Sequence, residues 1–585
     1  MDRLTSRTLF VRLAMALIFG GMALPMAWAG EVPPAANRWI PENALIVLEV
    51  THPEAVLGFA AGEKATALIT GLPQFKAIQQ HPKYLEMVTG IRFLEASLET
   101  DWRTALGKLT GGGVTLAVCP ENMVVLVADA KDGDMLRKVH QMFLGFAQND
   151  PAKSSLVAST EYGDVTAWTF NGKAAHAIIG DRFVWSNRPE GLKTVLELRK
   201  EGKSLASNRN YVAAQETIDS AAVANVFADV CVLAQIPQLS VVLDQQNKNP
   251  LLGLLLAGLF DTIRNSNWLA MGLKIEDDTL AVKASVDGIL AEDSKTAEFA
   301  LPASGDGALR NLPVTHRIVG ATFYRDLHHF YAAKDDLFPE RTSGLIFFEN
   351  MMGIFFTGRD LTNEVLAEAE PYIRLVVAEQ QFDPAVGTPQ LKLPAFALVL
   401  RLRNPEAFGP VMEEAWQKAV GLINFTRGQQ ALPGLIIDKQ TQGDTRFTVA
   451  CFSTVDVEDK TALPARYNLR PTLAMPGPYL VLSSTDGLAR DLIDALSNET
   501  ESSKKPLTGT HSLVELDARS LASVLEANRD ALVHNDMVKK GHSQEEAEAA
   551  IDMLMTAVKL VKRAELGIGV GKELTQAELR VQMSF

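Results

Sequence analysis

The hydrophobic and polar positions of this chain follow one pattern twice. Alternating apolar runs, which predict β-strands, lead into turn residues, a helix start and an amphipathic helix. Ala177–Leu198 predicts strand, Gly-Asp turn, strand and helix, and Leu473–Asp494 repeats this order without a gap, 296 residues later. Trp268–Val286 recurs at Glu565–Met583, at an offset of 297 residues. Two blocks with nearly one offset predict a tandem duplication.

The connections between the predicted elements indicate the fold class. Asn404-Pro405-Glu406 follows the β-run Phe396–Leu402, and Pro and Glu are favoured in the first turn of a helix. Turns such as Gly163-Asp164 and Gly443-Asp444 join neighbouring strands, and short connections join antiparallel pairs. We therefore predict an α+β fold of two tandem homologous halves, each a largely antiparallel sheet with helices packed on one face.

The predicted domain boundaries follow from this repeat. Residues 298–313 (EFALPASGDGALRNLP) are rich in Pro, Gly, Ser and Asp, a composition typical of linkers. We predict a first half at 30–297, a linker at 298–313 and a second half at 314–585.

The first 29 residues have the three parts of a secretory signal peptide. Arg3, Arg7 and Arg12 are followed by an apolar run from Leu13 to Ala23, and then by Ala27-Trp28-Ala29. This run is shorter than the roughly 20 residues that span a bilayer, so we predict cleavage after Ala29 and no membrane span thereafter. The expected location is the periplasm or the cell exterior.

The charge of the chain argues against one class of partner. The net charge is −14, and loss of the signal peptide removes three Arg and one Asp, which makes it −16. Such a surface repels phosphate backbones, so we expect no nucleic-acid binding. With 47% hydrophobic and 22% charged residues, the chain is typical of a globular protein with large cores.

Cysteines and apolar helices carry no distinctive chemical motif. Cys119, Cys231 and Cys451 each lie in a β-like run without CxxC spacing, so we expect buried thiols, and the sequence leaves open whether two of them pair. Leu251–Phe260 predicts a core helix or the lining of an apolar groove, and Glu545–Lys562 predicts its amphipathic counterpart.

No motif of a known catalytic class occurs, since HExxH, GxSxG and CxxCH are all missing. Thr110-Gly111-Gly112-Gly113 follows a predicted helix, so we interpret it as a helix C-terminus and not as a phosphate loop. Asp101 and Asp360 are predicted helix caps. Glu95 and Glu349 are matched carboxylates in the two copies and a weaker acid/base candidate.

The densest ionisable cluster is Asp326, His328 and His329. Asp326 and His329 could share a helix face as metal ligands do. Asp326 also follows a β-run, where a helix N-cap is expected. We favour a cap on a solvated surface, and we assign no catalytic, cofactor-binding or metal-binding residue.

Three segments carry a resemblance to a known group of proteins. Ala44–Leu57, Asp101–Val118 and Phe183–Leu196 resemble segments of large exported bacterial proteins that belong to a domain-of-unknown-function family. The resemblance implies an envelope location and repeated α+β units, and it transfers no functional residue.

Two functional hypotheses follow. The first is an exported, non-enzymatic binding or scaffold protein for an unknown protein, polymer or apolar ligand. The second is an envelope hydrolase with a site near Asp326, His328 and His329.

Overall fold

The computed structural model describes residues 35–71, 75, 79, 81–149, 156–199, 203–233, 250–256, 258–290, 294–383, 386–454, 457, 459–500, 502–570 and 573–584. The predicted signal peptide, residues 1–29, lies outside them. The chain divides into an N-terminal unit (residues 1–236, 267–277 and 282–285) and a C-terminal unit (residues 237–266, 278–281 and 286–585).

The N-terminal unit contains an antiparallel sheet. Its strands are β1 (Ile46–Val50), β2 (Gly113–Cys119), β3 (Met123–Asp129), β4 (Val157–Tyr162), β5 (Val165–Phe170), β6 (Ala174–Ile179), β7 (Arg182–Ser186), β8 (Ala224–Asp229) and β9 (Trp268–Glu276). Their order across the sheet is β9-β8-β1-β2-β3-β7-β6-β5-β4. The next strand, β10 (Thr279–Val286), has residues assigned to both units.

The C-terminal unit contains a second antiparallel sheet. Its strands are β11 (Arg317–Tyr324), β12 (Ala369–Ala378), β13 (Ala395–Leu402), β14 (Ile436–Gln442), β15 (Thr445–Cys451), β16 (Thr472–Ala474), β17 (Tyr479–Ser483), β18 (Thr510–Asp517), β19 (Val561–Val570) and β20 (Thr575–Met583). Their order is β20-β19-β18-β11-β12-β13-β17-β16-β15-β14.

The two sheets have the same strand order. Adding ten to each strand number of the N-terminal sheet, β1 to β9, reproduces the order of β11 to β19. The turns agree too, because Gly163 (φ 65°) and Gly443 (φ 57°) each connect the fourth and fifth strands of their sheet. Positive φ at these turns favours glycine, which has no Cβ to clash. The antiparallel α+β class is confirmed, and the tandem duplication stays a prediction.

The helices lie between these strands. In the N-terminal unit they are α1 (Pro53–Ala60), α2 (Glu63–Gly71), α3 (Pro82–Leu98), α4 (Trp102–Thr110), α5 (Gly133–Asn149), α6 (Pro189–Leu198), α7 (Arg209–Glu216) and α8 (Val230–Leu233). In the C-terminal unit they are α9 (Pro250–Leu255), α10 (Leu259–Arg264), α11 (Lys295–Ala300), α12 (Leu327–Ala332), α13 (Lys334–Leu337), α14 (Thr342–Phe355), α15 (Pro405–Gln429), α16 (Asp486–Ser497), α17 (Ala518–Ala527), α18 (Arg529–Lys540) and α19 (Gln544–Lys559).

Helices pack on both faces of β13 in the C-terminal sheet, so the predicted one-sided packing does not hold at this strand. Val399 of β13 packs in a core with Leu492 of α16. Leu402, on the opposite face of the same strand, packs in another core with Phe408 of α15. The reason is that Ala395–Leu402 (AFALVLRL) is apolar at almost every position, which is typical of a strand buried on both faces.

Two predicted helices differ in detail from the structure. Leu251–Phe260 does not form one helix, since α9 ends at Leu255, α10 begins at Leu259, and Gly258 before it has φ 75°. The predicted helix at 545–562 ends earlier, because Val561 begins β19.

The segment 298–313 differs from the exposed linker that its composition predicts. Phe299 and Leu309 are 1% exposed and Ala308 is completely buried. The backbone N–H of Ala308 donates to the Thr510 carbonyl (2.7 Å), and the Leu507 N–H donates to the Ala308 carbonyl (2.8 Å). This segment therefore packs within the C-terminal unit, while the division of the chain there stays a prediction.

Candidate functional site

The Asp326 loop is positioned by a buried arginine. Arg325 follows β11 and is 0% exposed. Its guanidinium donates to the carbonyls of Leu254 (2.6 Å) and Leu255 (2.7 Å), at the end of α9, where the helix dipole favours a cation. It also donates to the His511 carbonyl and to Ser512 Oγ, both at 3.1 Å. Burial lowers the pKa of Arg325 to about 9, so the side chain is charged at neutral pH.

The helix that follows is anchored by two aromatic side chains. Phe330 packs against Phe299 and Phe338, with ring centroids 5.1 and 5.9 Å away. Tyr331 is buried in a separate apolar core. These contacts fix α12 and leave the side chain of His329 48% exposed.

Asp326, His328 and His329 meet at the start of α12. Asp326 Oδ1 accepts the backbone N–H of His329 (3.0 Å), while Asp326 Oδ2 lies 3.1 Å from His329 Nδ1. The two imidazole rings are 5.0 Å apart. One ligand atom from each of the three residues lies within 4.8 Å of the others. The predicted cap at Asp326 is confirmed, and the structure also brings the three side chains together.

The other predicted caps are also present. Asp101 accepts from the backbone of Arg103 and Thr104 at the start of α4. Asp360 accepts from the Asn363 N–H (2.6 Å), at the start of a π-helical turn (Leu361–Val365). Glu95 accepts from the Trp102 N–H (3.0 Å). These bonds give the carboxylates structural roles.

Helix α14 exposes several large apolar side chains in the described part of the C-terminal unit. Phe347 is 71%, Ile354 69% and Ile346 51% exposed. The charged residue of the helix points the other way, because Glu349 forms an ion pair with the half-buried Lys334 (3.2 Å). Large apolar side chains are thus exposed on the outer face of this helix, where polar and charged residues are usual.

The corresponding helix of the N-terminal unit is exposed in the same manner. Helix α3 precedes the Asp101 cap as α14 precedes the Asp360 cap. Its Leu85, Met87 and Phe93 are 54%, 53% and 50% exposed. Exposed apolar residues therefore occur in each unit on the helix that precedes the aspartate cap.

Two cavities are lined by polar and charged residues. A cavity of about 500 Å³ in the C-terminal unit is lined in part by Arg310, Asn311, Asp491, Asp494 and Glu499. Burial, with a contribution from Asp494, raises the pKa of Asp491. A cavity of about 380 Å³ in the N-terminal unit is lined in part by Glu54, Leu57, Arg103, Thr104 and Lys108. Neither lining includes a His or Cys among the described residues.

A histidine pair lies inside the N-terminal unit. His140 of α5 and His176 of β6 have ring centroids 5.6 Å apart, and His176 is 7% exposed. Among the described residues neither Nε2 has a hydrogen-bond partner. Burial lowers the pKa of His140 to about 4, and burial together with His140 lowers that of His176 to about 3. Both side chains are neutral at physiological pH.

The cysteines occupy three different environments. Cys119 is a buried free thiol, and burial raises its pKa to about 11, so its thiol is not an activated nucleophile. Cys451 is a half-buried free thiol. Cys231 lies in α8 and not in the predicted β-run, and its Sγ is 3.2 Å from Asn267 Oδ1.

None of the helices in the described ranges combines the length and apolarity that a bilayer crossing requires.

Comparison with known proteins gives one family and distant structures. No curated protein matches the sequence. Two crystal structures of TP0453, forms I and IV, match with 10% and 11% identity and TM-scores of 0.23 and 0.24. They cover 46% and 43% of this chain and 83% and 79% of their own. Likeness at this level does not indicate a shared fold.

The family comparison supports the resemblance found in the sequence. Residues 95–322 match a family described as "Protein of unknown function (DUF3352)". This range reaches from the end of α3 to β11. Over these residues, the chain is therefore similar to a domain family of unknown function.

Proposed function

We propose that this chain is an exported, non-enzymatic binding protein that contacts an apolar partner surface or ligand through α14. The observation that carries this proposal is the exposure of Phe347, Ile354 and Ile346 on one helix. Large exposed apolar groups that lie together are typical of interaction sites. Export is supported by the signal-peptide pattern of residues 1–29.

The packing of α14 indicates why its outer face is available. Leu345, Met352 and Phe356 pack against a buried core of the C-terminal unit, and these contacts hold the helix in place. A helix that is apolar on all sides is typically buried on all sides. The outer face of α14 therefore fits a partner that removes it from water, at roughly 25 cal/mol per Å² of apolar area buried.

Binding of an apolar fluorescent dye, anilinonaphthalene sulfonate, tests the proposal. We expect the double substitution Phe347→Ser and Ile354→Ser to lower dye binding to the folded protein, because it makes the outer face polar. The matched control is Val538→Ser on α18, since Val538 is 70% exposed outside α14. Equal dye binding by the wild type and the double variant would reject α14 as the binding surface.

A second candidate function is a metal-dependent envelope hydrolase. The observation that favours it is the convergence of Asp326, His328 and His329 within 4.8 Å. Turnover of generic ester, glycoside and peptide substrates separates the two functions. The hydrolase requires turnover that a chelator abolishes, whereas the binding protein shows no turnover with or without the chelator.

A further inference from the structure

We propose that Asp326, His328 and His329 bind one divalent transition-metal ion of the zinc type. The proposal rests on the geometry of these three residues and is independent of binding at α14. It departs from the expectation drawn from the sequence, in which a cap at Asp326 accounted for the cluster.

The cap and a metal site are compatible because they use different oxygens. Asp326 Oδ1 accepts the His329 N–H, which leaves Oδ2 facing His329 Nδ1 at 3.1 Å. Zinc binds imidazole nitrogen and carboxylate oxygen at about 2.0–2.2 Å. An ion between two atoms that are 3.1 Å apart satisfies both distances. The cap therefore holds the carboxylate in an orientation that suits an ion.

His328 has the outer contact that metal-binding histidines typically have. Its Nε2 lies 3.2 Å from Asn363 Oδ1, and an amide oxygen can only accept a hydrogen bond. With Nε2 as the donor of this hydrogen bond, Nδ1 of His328 carries the lone pair that an ion needs. Such outer contacts fix the tautomer of a ligating histidine. Asn363 is itself held by the Asp360 cap.

The cluster is preorganised by its surroundings. Arg325, the residue before Asp326, is held in place by five hydrogen bonds from its guanidinium to oxygen acceptors. The Asp326 N–H donates to the Phe299 carbonyl (2.8 Å). Phe330 and Tyr331 fix the helix on the other side. Only the side chains of the three ligands must adjust to close on an ion.

The donor set defines the class of ion. Two imidazole nitrogens and one carboxylate suit zinc and other first-row transition metals, whereas calcium and magnesium prefer oxygen ligands. Three protein ligands, with His329 48% exposed, leave a coordination position for water, as in catalytic zinc sites.

The N-terminal unit offers a matched control. His52 follows β1 and begins α1, the place that Asp326 has in the C-terminal unit. His52 Nδ1 lies 3.1 Å from Thr51 Oγ1, and the structure groups no carboxylate and second histidine with it among the described residues. His52→Ala should therefore leave metal binding unchanged.

The experiment is a zinc titration of the full mature chain after chelator treatment, in competition with a zinc-sensitive dye. We expect one ion per chain in the wild type and in His52→Ala. His328→Ala, His329→Ala and Asp326→Asn should each weaken zinc affinity by more than about tenfold. Asn retains the helix cap, so a loss in Asp326→Asn reports the ligand and not the fold.

A second measurement follows the same variants by thermal melting. Zinc should raise the Tm of the wild type and of His52→Ala, since an ion that binds only the folded state stabilises it, and should not raise the Tm of the three ligand variants. Equal zinc affinities in all five proteins would overturn the proposal, as would a wild type without zinc binding.

Discussion

At the scale of single residues, Arg325 connects distant parts of the chain. Its acceptors include Leu254, 71 residues before it, and His511, 186 residues after it. No carboxylate accepts a hydrogen bond from it in the described part of the chain. Carbonyl groups at the end of α9 therefore take the role of a counter-charge.

Replacement of Arg325 by Leu should strongly destabilise the C-terminal unit. The change leaves several buried acceptors without a donor, and each unsatisfied buried group costs roughly 1–3 kcal/mol. We expect a loss of about 3 kcal/mol or more in urea unfolding. Arg519→Leu is the control, because Arg519 is exposed and should change stability by less than about 0.5 kcal/mol. Equal losses in the two variants would contradict a structural role for Arg325.

The helix cap at Asp326 should contribute to the stability of the metal-free protein. Asp326→Ala should cost on the order of 1 kcal/mol, while Asp326→Asn should cost much less. Urea unfolding in the presence of a chelator measures both changes. If the two variants were equally destabilised, the bond to the His329 N–H would not be the source of the stability.

Local signals explain which residues could be predicted. Asp101 and Asp326 were recognisable as caps because a cap depends on the few residues that follow it. Arg325 and Asn363 could not be recognised, because their partners lie in other segments of the chain. The sequence places His328 and His329 in one cluster, but the orientation of their rings depends on packing against distant segments of the chain.

At the scale of helices and strands, the histidine pair between α5 and β6 makes stability depend on pH. Its folded pKa values of about 4 for His140 and about 3 for His176 lie below the ordinary value of 6.5. Below about pH 6.5 the unfolded state therefore binds more protons at these two histidines than the folded state does. The pair leaves stability intact above that pH and progressively weakens the N-terminal unit as the pH falls toward 3.

Hydrogen exchange in β6 tests this dependence. Exchange in the wild type should accelerate more steeply between pH 6.5 and 4 than in the double variant His140→Leu and His176→Leu, after correction for intrinsic exchange. His534→Ala is the control, since His534 is exposed. The same pH slope in the wild type and the double variant would exclude the buried imidazoles as its source.

The order of strands and helices can be predicted from the sequence, whereas the exposure of a helix cannot. The repeat of Ala177–Leu198 at Leu473–Asp494 predicted strand, turn, strand and helix in both places, and the structure has β6, β7 and α6, then β16, β17 and α16. The connections between elements predict helices on one face, whereas helices pack on both faces of β13, as its continuous apolar run indicates. The exposure of α14 could not be predicted, since an apolar helix looks the same in a core and at an interface.

At the scale of the whole molecule, two predictions differ for the segment 298–313. Its composition predicts an exposed linker, whereas its packing predicts protection from proteases. Burial of Phe299, Ala308 and Leu309 predicts that trypsin does not cut after Arg310 in the folded protein. Lys504, which is exposed, is the internal comparison and should be cut first. Cleavage after Arg310 before Lys504 would instead support the exposed linker that the composition predicts.

Export makes a prediction about the mature chain. Mass spectrometry of the protein isolated from its native cells should find Gly30 as the first residue, because Ala27-Trp28-Ala29 precedes it. A mature protein that begins at Met1 would contradict the expected cleavage.

Photo-crosslinking in the native cells tests binding through α14 most directly. A photoreactive amino acid replaces Phe347 in one variant and Val538 in the other, at 71% and 70% exposure. The proposed function predicts a discrete adduct, protein or lipid, at position 347 and none at 538. Adducts of equal amount and mass at both positions, or none at 347, would contradict it.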